Sequence, residues 1–106
     1  MLSLLASALI MSQSPDSQTS EAPSITAMTY NIRFATAPDG DDAWPNRREA
    51  LIEIIRKHDP DIFGVQEALA SQVDELRQAF RTHAVVGVGR DDGLRKGEYS
   101  AVFYRR

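Results

Sequence analysis

The chain has 106 residues, 42% of them apolar, and a formal net charge of −3, which describes one small globular domain with a modest core. The negative charge argues against a domain that grips long duplex DNA by its phosphates, because such binding leaves a basic surface. Cysteine is absent. Disulfides and thiolate metal sites are therefore excluded, and any metal must be held by oxygen or imidazole ligands.

The amino-terminal segment reads differently from the rest of the chain. An apolar run over residues 1–11 is far shorter than the ~20 residues that span a bilayer. Its length suits the hydrophobic part of a secretory signal, but the usual positively charged start is missing; a tail of no significance is the alternative. Residues 12–24 are rich in Ser, Gln, Thr and Pro, which predicts a flexible linker.

These features predict a signal-like segment and linker over residues 1–24 and a folded domain over residues 25–106. The protein is then expected to be secreted or periplasmic if the segment is a signal, and cytoplasmic otherwise. No transmembrane segment is predicted.

The folded part begins with a strand, a loop and a helix. Ile25–Phe34 carries β-branched and aromatic residues on both alternating faces, which predicts a strand covered on both sides. Residues 35–43 form a turn-rich acidic loop. Apolar residues at helical spacing predict a helix over Pro45–Lys57. Asp59-Pro60 ends it, because the residue before proline avoids the α region.

The alternation continues to the end of the chain. Ile62–Glu67 is the second predicted strand, and Ser71 opens a second helix with Asp74 three residues on, as in a capping box. Ala84–Val88 and Tyr99–Tyr104 predict two further strands, separated by a polar loop. The order β-α-β-α-β-β predicts an α/β sheet with at least one antiparallel pair at its end.

Polar side chains end the first two predicted strands. A crossover helix makes these strands parallel, so Asn31 and Glu67 should meet at the sheet edge where open α/β sheets bind ligands. Magnesium is commonly held by one or two carboxylates together with waters and phosphate oxygens, and Glu67 could serve it in this way. The Asn31 amide can donate to a phosphate oxygen. The simpler alternatives are that Glu67 caps the next helix or faces water and that Asn31 closes a turn.

Three motifs resemble one known family. TYNIR (29–33), DIFGVQE (61–67) and VVGVGRDDGLRKGEYSAVFYRR (85–106) are similar to the amino-terminal half of the endonuclease/exonuclease/phosphatase superfamily of metal-dependent phosphoesterases. The resemblance covers residues 25–106. It implies a partial two-sheet α/β sandwich whose second half is absent.

The resemblance also implies roles for single residues. Glu67 would be a ligand of Mg²⁺ or Mn²⁺, and Asn31 would serve the same metal and phosphate site. Tyr99, on the strand that enters the site, would touch the substrate. Arg33 and Glu98 flank these positions and either support them or are ordinary surface residues.

Two parts of the family pattern are missing from the sequence: the Asp-x-Asn element and the late Asp-His pair. His58 and His83 do not take the place of the family's histidine and are expected to be structural. The resemblance thus implies a metal-dependent phosphoester or phosphodiester hydrolase in a truncated, catalytically incomplete chain. Its substrate would be a phosphate ester of a nucleic acid, a lipid headgroup or a small molecule, and no specific protein partner is predicted.

Two alternatives stay open at this point. The chain could be a non-catalytic secreted α/β binding module. It could also be a plain structural fragment in which Asn31 and Glu67 do not meet.

Overall fold

A computed structural model describes residues 22–106. The predicted signal-like segment and all but the last three residues of the predicted linker lie outside these residues. The elements, in chain order, are β1 (Ala27–Asn31), a short 3-10 helix (Gly40–Asp42), α1 (Trp44–His58), β2 (Ile62–Ala68), α2 (Ala70–Ala79), β3 (His83–Val86) and β4 (Tyr99–Arg105). The predicted order of strands and helices is confirmed.

The strands form one mixed sheet in the order β1-β2-β4-β3. β1 and β2 run parallel, with Asn31 opposite Gln66, while β4 is antiparallel to both β2 and β3. The predicted α/β class, with an antiparallel pair at the end of the sheet, is confirmed. Because α1 returns the chain to its starting direction, β1 and β2 end at the same edge.

Both helices pack on one face of the sheet and form the core with it. Phe63 of β2 and Phe103 of β4 stack with ring centroids 4.7 Å apart, and Phe80, just after α2, meets Phe63 edge-on at 5.2 Å. Trp44, at the start of α1, is buried and donates its indole N–H to Glu75 Oε1 of α2 at 3.0 Å. The two helices are thereby joined directly as well as through the sheet.

The opposite face of the sheet is not covered by any element within residues 22–106. It exposes 37% of Ile62, 46% of Tyr104 and 59% of Val86. In β1, burial alternates between half-buried and exposed residues. The prediction of a first strand covered on both sides is therefore wrong for this part of the chain, because α1 and α2 pack on the same side.

Several boundaries also differ from those predicted. β1 begins at Ala27 rather than Ile25, whose side chain is 74% exposed. It ends at Asn31 because the chain turns at Arg33, where φ is +62°. β3 begins at His83 and stops at Val86, before Gly87.

The start of α2 is held by a different residue from the one predicted. Gln72 Oε1 accepts the backbone N–H of Leu69 at 2.8 Å, which supplies the capping contact at this end. The predicted pairing of Ser71 with Asp74 is wrong, because Asp74 forms an ion pair with Arg95 instead. No helix in the described part of the chain is long and apolar enough to cross a bilayer.

Candidate functional site

Asn31 and Glu67 meet at the edge of the sheet. The Asn31 amide Nδ2 donates to Glu67 Oε2 at 2.7 Å, across 36 residues of sequence. The alternative in which the two side chains stay apart is therefore wrong. Their catalytic roles stay predictions.

A bulge places the Glu67 carboxylate there. Gln66 lies opposite Ser100 and Ala68 lies opposite Tyr99, so Glu67 is an extra residue in the β2–β4 ladder. Its φ is +65°, which costs an L-residue roughly 1–2 kcal/mol. Bulges re-aim side chains at strand ends, and such strained conformations concentrate at functional sites.

The Asn31 amide is oriented by contacts on both of its polar atoms. Its Oδ1 accepts the backbone N–H of Arg33 at 3.0 Å, and its Nδ2 faces Glu67. The turn at Arg33 thus fixes which end of the amide points at the carboxylate. One lone pair of Oδ1 and one proton of Nδ2 are left for other partners.

The Arg33 side chain turns away from this pair. Its guanidinium binds Asp39 through two hydrogen bonds of 3.0 Å each. The Arg33 hydrogen bond holds the pKa of Asp39 below its ordinary value, while Asp39 raises the pKa of Arg33. Arg33 therefore contacts Asn31 through its backbone and not through its charge.

A cleft of about 520 Å³ opens beside Glu67. The residues that line it are Gln66, Glu67, Gly87, Val88, Arg90, Glu98, Tyr99 and Ser100. Tyr99 is 5% exposed and its hydroxyl donates to the Leu94 carbonyl at 3.0 Å. It is placed in the wall of the cleft, where it also holds the adjoining loop.

Arg90 is a residue of this cleft that the sequence interpretation missed. Its side chain is 67% exposed, with guanidinium nitrogens 3.5 Å from Asp91 and 3.8 Å from Glu98. Contacts of this length and exposure are weak. Arg90 contributes a positive charge to the lining of the cleft. Glu98 also lines the cleft, next to Arg90.

The loop that carries Arg90 is held by backbone hydrogen bonds and by the side chain of Asp92. The N–H of Arg90 donates to the Glu98 carbonyl at 3.0 Å, and Asp92 Oδ1 accepts the N–H groups of Leu94 and Lys96. These backbone donors lower the pKa of Asp92. Arg90 is therefore carried by a hydrogen-bonded turn.

The residues present fit an open divalent-metal site and not a closed one. Within residues 22–106, no three His, Asp or Glu side chains are grouped closely enough to hold a metal ion. Glu67 offers Oε1, which makes no hydrogen bond to that part of the chain, while Oε2 is held by Asn31. One carboxylate completed by waters and phosphate oxygens is a usual Mg²⁺ site.

Both histidines lie outside this group. His83 is 5% exposed, with Nε2 2.9 Å from the Pro60 carbonyl and Nδ1 3.1 Å from Thr82 Oγ1. His58 is the exposed last residue of α1. The structural roles expected for them stay predictions.

Several solved structures are similar to this chain in sequence and fold. An endonuclease/exonuclease/phosphatase from Bacteroides vulgatus is 38% identical, with a TM-score of 0.74 over 77% of this chain and 31% of its own. A mannosyl-6-phosphatase from Bacteroides thetaiotaomicron is 42% identical, with a TM-score of 0.73; the match covers 77% of this chain and 32% of that protein. A functionally unknown conserved protein from Enterococcus faecalis is 34% identical, with a TM-score of 0.66; the match covers 76% of this chain and 31% of that protein.

The chain spans about a third of the length of these structures, and no curated protein matches it. The model of the Endonuclease/Exonuclease/phosphatase family matches residues 28–106, which include Asn31, Glu67 and all of the sheet except Ala27. The chain therefore belongs to the endonuclease/exonuclease/phosphatase family, of which it carries the amino-terminal part.

Proposed function

We propose that this chain contributes the metal-binding part of a phosphoester hydrolase, with Glu67 as a ligand of Mg²⁺ or Mn²⁺ and Asn31 as the residue that holds Glu67. The observation that carries the proposal is the 2.7 Å bond from Asn31 Nδ2 to Glu67 Oε2 at the ends of two parallel strands. The membership of the chain in a phosphatase and nuclease family supports it.

The polar atoms of Asn31 and Glu67 have different proposed roles. Asn31 fixes Oε2, so Glu67 presents Oε1 to a ligand in one orientation. The remaining amide proton of Asn31 is available to a phosphate oxygen. A divalent cation bound at Glu67 supplies the Lewis acid that polarises a phosphoryl oxygen and stabilises charge on the leaving oxygen.

Turnover by this chain is expected to be poor. The sequence holds no Asp-x-Asn element, the family's means of handling the attacking water. General base catalysis is typically worth 10²–10⁴-fold. We therefore expect weak metal binding with little or no hydrolysis from the 106 residues alone.

Among phosphate esters, we propose a small sugar phosphate rather than a nucleic acid. The cleft volume of about 520 Å³ suits a small molecule, and the net charge of −3 disfavours a polyanion. Arg90 would contact the phosphate. The similarity to a mannosyl-6-phosphatase agrees with this choice.

Metal binding is the direct test. Mn²⁺ is titrated into the wild-type chain and Glu67→Gln, and free Mn²⁺ is followed by electron paramagnetic resonance. We expect Glu67→Gln to weaken binding at least about tenfold, as loss of a charged ligand should. Glu53→Gln is the matched control, because Glu53 lies on α1 with its side chain 71% exposed. Equal affinities in the wild type and Glu67→Gln would exclude the proposal.

A further inference from the structure

Gln72 is a fully buried amide that the proposed chemistry does not use. It lies in the first turn of α2 and is 0% exposed. Its Oε1 accepts the N–H of Leu69 at 2.8 Å and the N–H of Ala35 at 3.0 Å. Its Nε2 donates to the Arg33 carbonyl at 2.9 Å. All three partners are backbone groups.

These partners belong to the two segments that leave the candidate site. Arg33 follows Asn31 by two residues and Leu69 follows Glu67 by two. Neither segment can satisfy these groups in the sheet, since the chain has turned at Arg33 and passed the bulge at Glu67. One side chain therefore joins both segments.

The contacts close into a ring. Arg33 accepts from Gln72 at its carbonyl and donates from its N–H to Asn31 Oδ1. Asn31 then donates to Glu67. The backbone from Glu67 leads to Leu69, which donates back to Gln72.

We propose that Gln72 is the positioning residue of the Asn31–Glu67 pair. It sets the distance between the turn after β1 and the turn after β2, and so holds the amide against the carboxylate. Its place inside the core, away from the cleft, excludes direct contact with a ligand. The inference rests on the proposed function only in treating this pair as the metal site.

Gln72→Met is the main variant, because methionine has nearly the same length and volume but cannot make the three hydrogen bonds. Val73→Ala is the control. Val73 is the next residue of α2 and is 2% exposed, so its truncation loosens the core while leaving all bonds of the ring in place. A loss of stability common to both variants is thereby separated from a loss of positioning.

The side-chain amide of Asn31 gives a readout that needs neither metal nor turnover. Its ¹H and ¹⁵N signals, identified by their disappearance in Asn31→Asp, report the bond to Glu67. In Gln72→Met we expect these signals to move to the values of a solvated amide, and Mn²⁺ affinity to fall by about 10-fold or more. In Val73→Ala we expect both to stay unchanged.

Unchanged Asn31 signals in folded Gln72→Met would overturn the inference, whether or not the Mn²⁺ affinity changes. Displaced signals in a protein whose wild type binds no Mn²⁺ would support the positioning role and contradict the proposed function. If Gln72→Met does not fold, Gln72→Glu decides. It keeps an acceptor for Leu69 and Ala35 and loses the donor to Arg33, so the Asn31 signals must still move for the inference to stand.

Discussion

Glu67 reaches Asn31 only because it is the extra residue of the β2–β4 ladder. In the regular parallel register Asn31 lies opposite Gln66. The bulge and the φ of +65° turn the next side chain toward the same edge and bring its Oε2 to 2.7 Å from Asn31 Nδ2. The site is thus built from a local departure from strand geometry.

The positive φ of Glu67 predicts that glycine is more stabilising than alanine at this position, the reverse of the usual order in a strand. Glycine adopts a φ of +65° freely, so Glu67→Gly should unfold with a free energy about 1 kcal/mol higher than Glu67→Ala. Urea denaturation of both variants measures the difference. At Gln66, an ordinary strand position, the order should reverse. A Glu67→Ala variant at least as stable as Glu67→Gly would show that the backbone here is unstrained.

The carboxylate of Asp61 predicts an acid-sensitive stability. Asp61 accepts the N–H of Thr26 at 2.9 Å and the Nε–H of Arg105 at 3.3 Å, and these contacts lower its pKa. Its stabilisation is present above the unfolded pKa of about 3.9 and is lost as pH falls through the lower folded value. We expect the melting temperature to fall below about pH 4, and less steeply in Asp61→Asn.

Melting temperatures measured from pH 7 to pH 2 give this comparison. Asp39, Asp74 and Asp92 also have lowered pKa values, so Asp61→Asn should flatten the acid limb without removing it. The control is Asp41→Asn, since the Asp41 side chain forms no ion pair within residues 22–106. Acid limbs of equal steepness in Asp61→Asn and the wild type would contradict the role given to Asp61.

The exposure of Arg90 predicts an anion contact in the cleft. Charge-assisted hydrogen bonds are worth about 1.5–3 kcal/mol, so Arg90→Gln should weaken binding of mannose 6-phosphate by about 10-fold or more. Calorimetry with Mg²⁺ present measures the affinity. Arg77→Gln, on the exposed side of α2, should bind like the wild type. Retained affinity in Arg90→Gln would remove this residue from the proposed site.

The uncovered face of the sheet predicts binding of a hydrophobic dye. Ile62 and Val86 expose apolar area on this face, and contiguous apolar surface of this kind binds such probes. We expect a double variant, Ile62→Thr with Val86→Thr, to reduce the fluorescence of anilinonaphthalene sulfonate. Ile54→Thr on α1, where the side chain is 42% exposed, should leave it largely unchanged. Equal fluorescence from the double variant would place the dye elsewhere.

The order of elements and the meeting of Asn31 with Glu67 were both predictable. The spacing of apolar residues along the sequence distinguishes strands from helices. A single crossover helix is enough to bring the ends of two strands to one edge of the sheet. Asp59-Pro60 likewise marked the end of α1, which stops at His58. These features depend on local patterns.

The bulge, the ring and the open face were not predictable in the same way. Nothing in the residue type of Glu67 indicates a positive φ, which is set by its pairing with β4. Gln72 lies four residues before the buried Leu76, within the apolar stripe of α2, so a polar residue at a core position was the available signal. Whether a strand is covered on both faces depends on elements distant in sequence.

The ring through Gln72 has a consequence for the entropy of binding. A glutamate side chain at a strand end ordinarily samples several rotamers, and a ligand must select one of them. Here the amide of Asn31 makes that selection as the chain folds, and Gln72 holds Asn31 in place through Arg33. A cation that binds Oε1, as proposed, would therefore meet a carboxylate whose conformational entropy has already been lost on folding.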